Sequence, residues 1–418
     1  GDRRGALDLL RRADREYAVA CAAPGLADTE ALRLTLERVG ALEAQWRLGG
    51  DSALLQGAVG MLEAFADAWP DEQPRPPELP LAHGRVLLRL SGATADHEQA
   101  RLYAGQSAHS LRAALESGPG GATGQAAETA RVRLLLDLAD ALLRSGGPLD
   151  DARGHVDEAL GLTRDQGLRA ALHVRAGRIH VARYAETGDP RELQDAADRF
   201  RRASRGVPRD APAHADVLAE WGEALLHRAS LDGGPESLSQ AIRVLRDCRA
   251  ETPAGSRELA HRLLLLGRAL MLRYRVRGDR VDLREAEHLL GLAALEDGPP
   301  LTTAHCWLEL GQAQFEAYQS LGRKARLDEA IDAFRAAAEA ARDAEARAET
   351  GRERQEAVEL GARAQHWRGM SYEAATRPRA AREAYRAART EWSRLPEDAL
   401  TTGEPTARQT AQRLAELD

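Results

Sequence analysis

One recurring pattern constrains the fold of this chain more than any other feature: a leucine, a small residue three positions later and a large apolar residue seven positions later. It occurs as Leu10/Ala13/Tyr17, Leu55/Ala58/Leu62, Leu149/Ala152/Val156, Leu193/Ala196/Phe200, Leu238/Ala241/Leu245, Leu283/Ala286/Leu290 and Leu327/Ala330/Phe334. From Leu149 onward the copies lie 44, 45, 45 and 44 residues apart. A degenerate copy at Leu102/Gly105 fills the interval before Leu149, and Ala381/Tyr385 carries the last copy after Pro378. Spacings of three, four and seven place such residues on one helix face. A fixed period of this length is the signature of stacked units that share a continuous core.

Each patterned helix is the second of its unit. The first carries a glycine: Gly177, Gly222, Gly267 and Gly311 each precede the next pattern leucine by sixteen residues. A glycine inside a helix costs about 1 kcal/mol relative to alanine, so its recurrence at one register points to close approach of two helices. The small residue of the second helix is expected to face it. Turn signals separate the helices at "TGDP" (187–190), "DGGPES" (232–237) and "RGDR" (277–280), where glycine stops one helix and a polar residue or proline starts the next.

Composition agrees with an array of helices. Of 418 residues, 29% are charged and only 4% aromatic, the usage of a helical rather than a sheet protein. The formal net charge of -7 argues against a dedicated nucleic-acid binder. Lys324 is the only lysine, so arginine carries nearly all the positive charge. Cys21, Cys248 and Cys306 are far apart with no CxxC pair, which fits a reducing cytoplasm and suggests neither a zinc site nor a disulfide framework. No stretch of eighteen apolar residues is present, so no membrane segment is expected.

The expected organisation is an N-terminal helix plus first repeat (1–80), a degenerate second repeat (81–126), a main array (127–400) and a capping helix (401–418). Residues 6–22 scan as a second helix without its first, either an N-terminal cap or a cut inside a longer protein. A stiff Pro-rich loop at 69–80 and a Gly-rich one at 116–128 isolate the second repeat and are expected to let the array bend there.

At these residues the chain resembles the tetratricopeptide repeats. Gly369, Tyr372, Ala381, Tyr385 and Ala388 stand at the offsets of that family's small and aromatic positions, while the middle units carry seven extra residues between glycine and alanine. Such long units look like the extended arrays of actinobacterial regulatory proteins, often found beside caspase-like (CHAT) peptidase or nucleotide-binding modules. The resemblance implies an all-α, right-handed α-solenoid of antiparallel helix pairs, with first helices lining a concave groove that holds the ligand. Carried over by position, that groove consists of Arg178, Glu223, Arg268, Gln312 and Met370 just after each glycine, and Asp216, His261, His305 and Arg363 six before it. Met271 and Phe315 follow four after it, as part of an apolar stripe. Arg178 and Arg268 are the expected forks for carboxylates. Tyr184, Tyr274 and Tyr318 are expected to pack between helices.

Signals for chemistry are weak. There is no Walker loop and no HExxH motif. His305 and Cys306 are adjacent, but neighbours on a helix point about 100° apart and do not face each other. His173 and His180 share a helix without further ligands nearby in sequence, and Asp150/Asp151 sit where a helix start favours negative charge. The expectation is therefore a non-enzymatic scaffold, without cofactor or metal, binding a peptide or helix of a partner protein. Two alternatives of other classes are a sensor portion of a larger system that controls an effector peptidase or nucleotide-driven switch, and a receptor for a small molecule or peptide signal.

Overall fold

A computed structural model describes residues 3–70, 72–94, 96–118, 124–348, 350–396 and 407–417. These residues form eighteen α-helices and no strand, and the chain divides into two compact units at Gly188/Asp189. The first unit holds α1 (Arg3–Cys21), α2 (Asp28–Gly49), α3 (Ala53–Ala68), α4 (Glu78–Ala93), α5 (His97–Ser117), α6 (Gly124–Ser145), α7 (Leu149–Leu162) and α8 (Gln166–Thr187). The second holds α9 (Pro190–Gly206), α10 (Pro212–Asp232), α11 (Pro235–Glu251), α12 (Leu259–Arg277), α13 (Arg280–Leu295), α14 (Pro300–Leu321), α15 (Lys324–Arg347), α16 (Gly351–Ala374), α17 (Pro378–Trp392) and α18 (Ala407–Leu417). Helix α4 runs across residue 80 and α6 across residue 126. Residues 119–123 of the Gly-rich loop and 401–406 of the expected cap lie outside the described residues.

Within each unit consecutive helices pack as antiparallel neighbours. In the first unit α2, α4, α6 and α8 touch in succession, and in the second α10, α12, α14 and α16 do, whereas the odd-numbered helices lack comparable mutual contact. The even-numbered layer is therefore the crowded, inner wall of each stack. The chain turns between helices as the turn signals require: Gly233, Gly278 and Gly322 end α10, α12 and α14 in the left-handed region at φ 62°, 72° and 66°. The Asp279 carboxylate then caps α13 by accepting from the Val281 N–H, and Pro235 opens α11 at a position where its missing N–H is harmless.

The repeated pattern forms the core. Its residues on α3, α7, α9, α11, α13, α15 and α17 are all buried, whereas Leu10, Ala13 and Tyr17 on α1 are half-exposed because α1 packs chiefly against α2. On α5 the register differs from the expected one: Leu102 is 54% exposed and Gly105 is exposed, while Ala104, Ser107 and Leu111 are fully buried. The spacing of three and seven survives with alanine in place of the leucine. Ser107 stands at the small position and its Oγ donates to the Gly84 carbonyl at 2.7 Å.

The glycine contact also differs from the expectation. A Cβ on Gly267 would lie 2.6 Å from Leu290 Cδ2, on Gly311 2.6 Å from Phe334 Cε1, on Gly84 2.7 Å from Leu111 Cγ, and on Gly369 2.7 Å from Tyr385 Cε1. The glycine thus receives the large residue of the following helix, not the small one. A bulky side chain laid across a bare backbone brings the two helices together without leaving a void.

At the far end of the second unit, α18 packs on α17 through Leu414 and Thr410, both buried. Thr410 Oγ1 accepts from Trp392 Nε1 at 3.1 Å and lies 2.8 Å from Nδ1 of buried His366. Burial, with the Arg413 guanidinium nearby, brings the His366 pKa down to about 4.

Two predictions follow from this packing. Gly267→Ala should lower stability by about 1–2 kcal/mol, because overpacking against buried Leu290 outweighs the gain of about 1 kcal/mol in helix propensity. Gly57→Ala on α3, where an added Cβ meets nothing within 4 Å, should raise stability by about 0.5–1 kcal/mol. Urea denaturation of both variants decides it. The unfolded His366 imidazole titrates near pH 6.5 and the folded one near 4, so between those values only the unfolded chain takes up the proton. Stability should therefore fall by about 3 kcal/mol as pH drops through that window, and His366→Gln should remove this component of the pH profile.

Candidate binding surface

The inner wall of each unit is held by charged side chains reaching from one even-numbered helix to the next. In the first unit Arg89 on α4 bonds Glu43 on α2, Arg85 Nε on α4 donates to Asp137 Oδ2 on α6 at 2.7 Å, and Arg175 on α8 grips Asp140 on α6 with two parallel bonds of 2.8 and 2.5 Å. In the second unit Arg262 on α12 bonds Asp216 on α10 and also donates to Thr252 Oγ1 at 2.6 Å. Arg275 Nε on α12 donates to Glu316 Oε1 on α14 at 2.8 Å. All are charge-assisted hydrogen bonds, and Arg175 on Asp140 is a two-bond fork, the strong and directional form of an ion pair.

The longest chain of contacts crosses three helices. Arg268 on α12 donates from Nε to Glu309 Oε1 at 2.9 Å and from Nη2 to His305 Nδ1 at 2.8 Å, both on α14. Because His305 Nδ1 accepts, its proton sits on Nε2, which donates to Glu356 Oε1 on α16 at 3.1 Å. Burial, reinforced by Arg268, keeps the imidazole pKa below its ordinary value. Burial alone would push Glu309 up, but Arg268 and Arg275 outweigh it and hold that carboxyl below the usual range. The His305 hydrogen bond does the same for Glu356 against its partial burial. One step along α16, burial and the neighbouring Glu356 raise Glu359 although Arg363 stands 3.9 Å away.

The residues expected to line the groove occupy varied places. Arg178 is exposed on α8, in the first unit. In the second unit Asp216 is exposed, and Glu223, His261 and Arg363 are half-buried on α10, α12 and α16. Arg268 and His305 do stand on the wall, but they bind each other and the wall's own carboxylates. Gln312 is 7% exposed. Met271 and Phe315 are 1% and 4% exposed and belong to the core, Phe315 meeting Trp367 edge-on with centroids 5.7 Å apart. Residues four after the glycine turn toward the neighbouring helices, so this stripe is packing surface. Met370 borders a cleft of about 330 Å³ between α16 and α18, beside Trp367 and Gln412. Tyr274 and Tyr318 pack against the core as expected.

Sequence reading missed Glu309, Glu316, Glu356, Arg262 and Arg275. A signal was available: Arg268–Glu309 and Arg275–Glu316 share a separation of 41 residues, a little under one repeat. A scan for opposite charges at that offset finds both.

The adjacent His305 and Cys306 do not form a reactive pair. His305 turns to the wall, while Cys306 is fully buried and its thiol is pushed up to about 12 by burial. Cys248, also buried, is pushed up to about 11 and donates to the Ala215 carbonyl. Such thiols lack the thiolate character that nucleophiles need. Asp150, at the start of α7, pairs with Arg183 on α8. His173 and His180 are buried. Among the described residues no helix is long and apolar enough to cross a membrane.

No family model and no curated protein matches this chain. Solved structures do. The apo form of the quorum sensor NprR from B. thuringiensis matches at 13% identity with a TM-score of 0.50, covering 93% of this chain and 98% of that one. A signal transduction ATPase with numerous domains and a tetratricopeptide repeat sensor, from Pyrococcus horikoshii, matches at 12% identity and TM-score 0.43, covering 93% of this chain. This chain spans about half (53%) of the length of that archaeal protein. Human IFIT1, in a dimer with m7Gppp-AAAA, matches at 14% identity and TM-score 0.44, covering 86% of this chain and 71% of that one. At these identities the likeness is one of fold alone: an all-α array of sequential antiparallel helix pairs of the tetratricopeptide-like kind.

The wall contacts predict strong coupling between Arg268 and Glu309, whose side chains are 29% and 15% exposed. Arg268→Met should cost about 2 kcal/mol by leaving a buried carboxylate unpaired, and a cycle with Glu309→Gln should recover a coupling of about 1–2 kcal/mol. The same cycle on the surface pair Arg335–Asp332, 55% and 66% exposed, should give a coupling near zero.

Proposed function

We propose that this chain is a non-catalytic recognition module whose second unit receives an extended segment of a partner protein, bearing arginine or lysine, along its even-numbered helices. The observation that carries the proposal is the sign of the charge left over on that wall. Three of its arginines are already engaged, Arg262 with Asp216, Arg268 with Glu309 and Arg275 with Glu316, while Arg363 stands 3.9 Å from Glu359. Glu223 has no ion-pair partner among the described residues, and Glu359 is held above the usual carboxylate range chiefly by burial, with the Glu356 charge adding to it. A cationic side chain placed beside Glu223 finds a carboxylate without an ion-pair partner, whereas an acidic ligand meets Arg262, Arg268 and Arg275 already holding carboxylates. The buried, protonated thiols of Cys248 and Cys306 and the internally bonded His305 support a binding rather than a chemical role.

Repeat arrays display long surfaces made from one face of successive helices, and extended segments are their natural occupants. The electrostatic part of such binding weakens as salt screens it. Selection from a displayed peptide library on the immobilised chain should return sequences rich in arginine and lysine. Glu223→Lys/Glu359→Lys should weaken the selected peptides by at least about tenfold, and raising salt to about 0.5 M should weaken them for the wild type. Selection of acidic or purely apolar peptides, or equal binding by the variant, overturns the proposal.

A further inference from the structure

A second site lies in the first unit, outside the even-helix wall. The link from α3 to α4 contains Pro70, Pro74, Pro76 and Pro77, and α4 begins only at Glu78. Proline fixes φ and stiffens such a link. Beside it a cleft of about 590 Å³ opens between α3, α4 and α5, a size within the range of small-molecule sites. Leu62, Ala66, Leu79, Pro80 and Ala113 give it apolar walls. Glu63 and Asp67 from α3 and Arg75 from the link stand among its lining, two carboxylates against one guanidinium.

Three polar groups from three helices converge there. His83 Nδ1 on α4 lies 2.9 Å from Ser110 Oγ on α5. His83 Nε2 is buried, and its contact is a long one with the Glu63 carboxylate on α3, at an ion-pair distance of 3.5 Å. A buried polar atom left without a hydrogen bond costs about 1–3 kcal/mol, and the Glu63 side chain, 59% exposed, can swing aside to open Nε2 to the cleft and to a ligand that satisfies it. Burial lowers the His83 pKa although Glu63 opposes it, so the ring is neutral at pH 7.

We propose that this cleft binds an uncharged small molecule with an apolar body and an amide-type head. Such a head both donates and accepts. Its N–H donates to the Glu63 carboxylate, and its oxygen accepts from Nε2–H when the Ser110 hydroxyl donates to Nδ1. If the imidazole takes the other tautomer, the second amide hydrogen donates to Nε2. A carboxylate head is repelled by Glu63 and Asp67, and an ammonium pays desolvation among apolar walls and suits only one tautomer. The order Ser110, His83, Glu63 also resembles nucleophile, base and acid. Ser110 lies inside α5, however, where the surrounding N–H groups are bound within the helix and none is free to stabilise an oxyanion. The row therefore serves recognition.

The test uses the full chain and dansylamide, a fluorophore with an uncharged sulfonamide head. Its fluorescence should rise to a 1:1 plateau with a Kd of about 10–200 µM, in keeping with its size. Ala113→Trp, which fills the cleft, should abolish the signal. Glu63→Ala, at a side chain 59% exposed and so harmless to folding, and His83→Leu should each weaken binding at least about fivefold, with circular dichroism confirming the fold. Absence of binding, or binding unchanged by Ala113→Trp in a folded variant, overturns the site. Binding unchanged by Glu63→Ala and His83→Leu, or stronger binding of the amine dansylcadaverine, overturns the amide-type ligand.

Discussion

The contact on which five of the hairpins depend is that between a helix glycine and the large residue of the next helix: Gly84 under Leu111, Gly222 under Leu245, Gly267 under Leu290, Gly311 under Phe334 and Gly369 under Tyr385. The lost Cβ makes a socket, and the large side chain fills it. The path from glycine to large residue is 23 residues for Gly267–Leu290 and Gly311–Phe334 but 16 for Gly369–Tyr385. Seven extra residues, divided between two antiparallel helices, are about one turn on each. The hairpin can therefore lengthen by a turn per helix and keep the same socket on the same face, which is why units of unequal length stack in one array.

A second constraint acts between hairpins. The even-numbered helices are close enough for arginines to bridge them, and a charge placed in that half-buried seam must find its partner. Glu309 shows the balance: burial alone would raise its pKa, and two guanidinium groups hold it below the usual range. The seam thereby absorbs side chains that look, on position alone, like ligand contacts. What the seam leaves uncommitted in the second unit includes Glu223, the carboxylate on which the proposed reading rests.

Much of the fold was legible because its determinants repeat. The leucine, small and large positions, the left-handed glycines and the aspartate cap of α13 all recur at fixed offsets, so each copy supports the others. The reading failed where a copy changed chemistry without changing geometry. On α5, Ala104 and Ser107 occupy the leucine and small positions, and a search led by leucine settled on exposed Leu102. The candidate surface was less legible for a different reason. Met271 and Phe315 share the helix of the expected groove, but their direction is set by the neighbouring helices, which a single helix pattern does not contain. The cleft at His83 was least legible, since Glu63, His83 and Ser110 come from three helices with no shared offset.

The scarcity of lysine bears on both constraints. Codon bias explains why arginine is common, but not why Arg175 meets Asp140 through two parallel bonds or why Arg268 reaches Glu309 and His305 at once. Both geometries need a planar group with several fixed donors, which an ammonium cannot supply. Lysine at these seams would leave one lone pair of each partner unmet and would hold the helices by a point charge with no preferred direction. Arginine instead fixes the distance and the rotation between neighbouring even-numbered helices. The wall it builds is consequently set before any partner arrives, so that binding there need not also bear the entropy of ordering the surface.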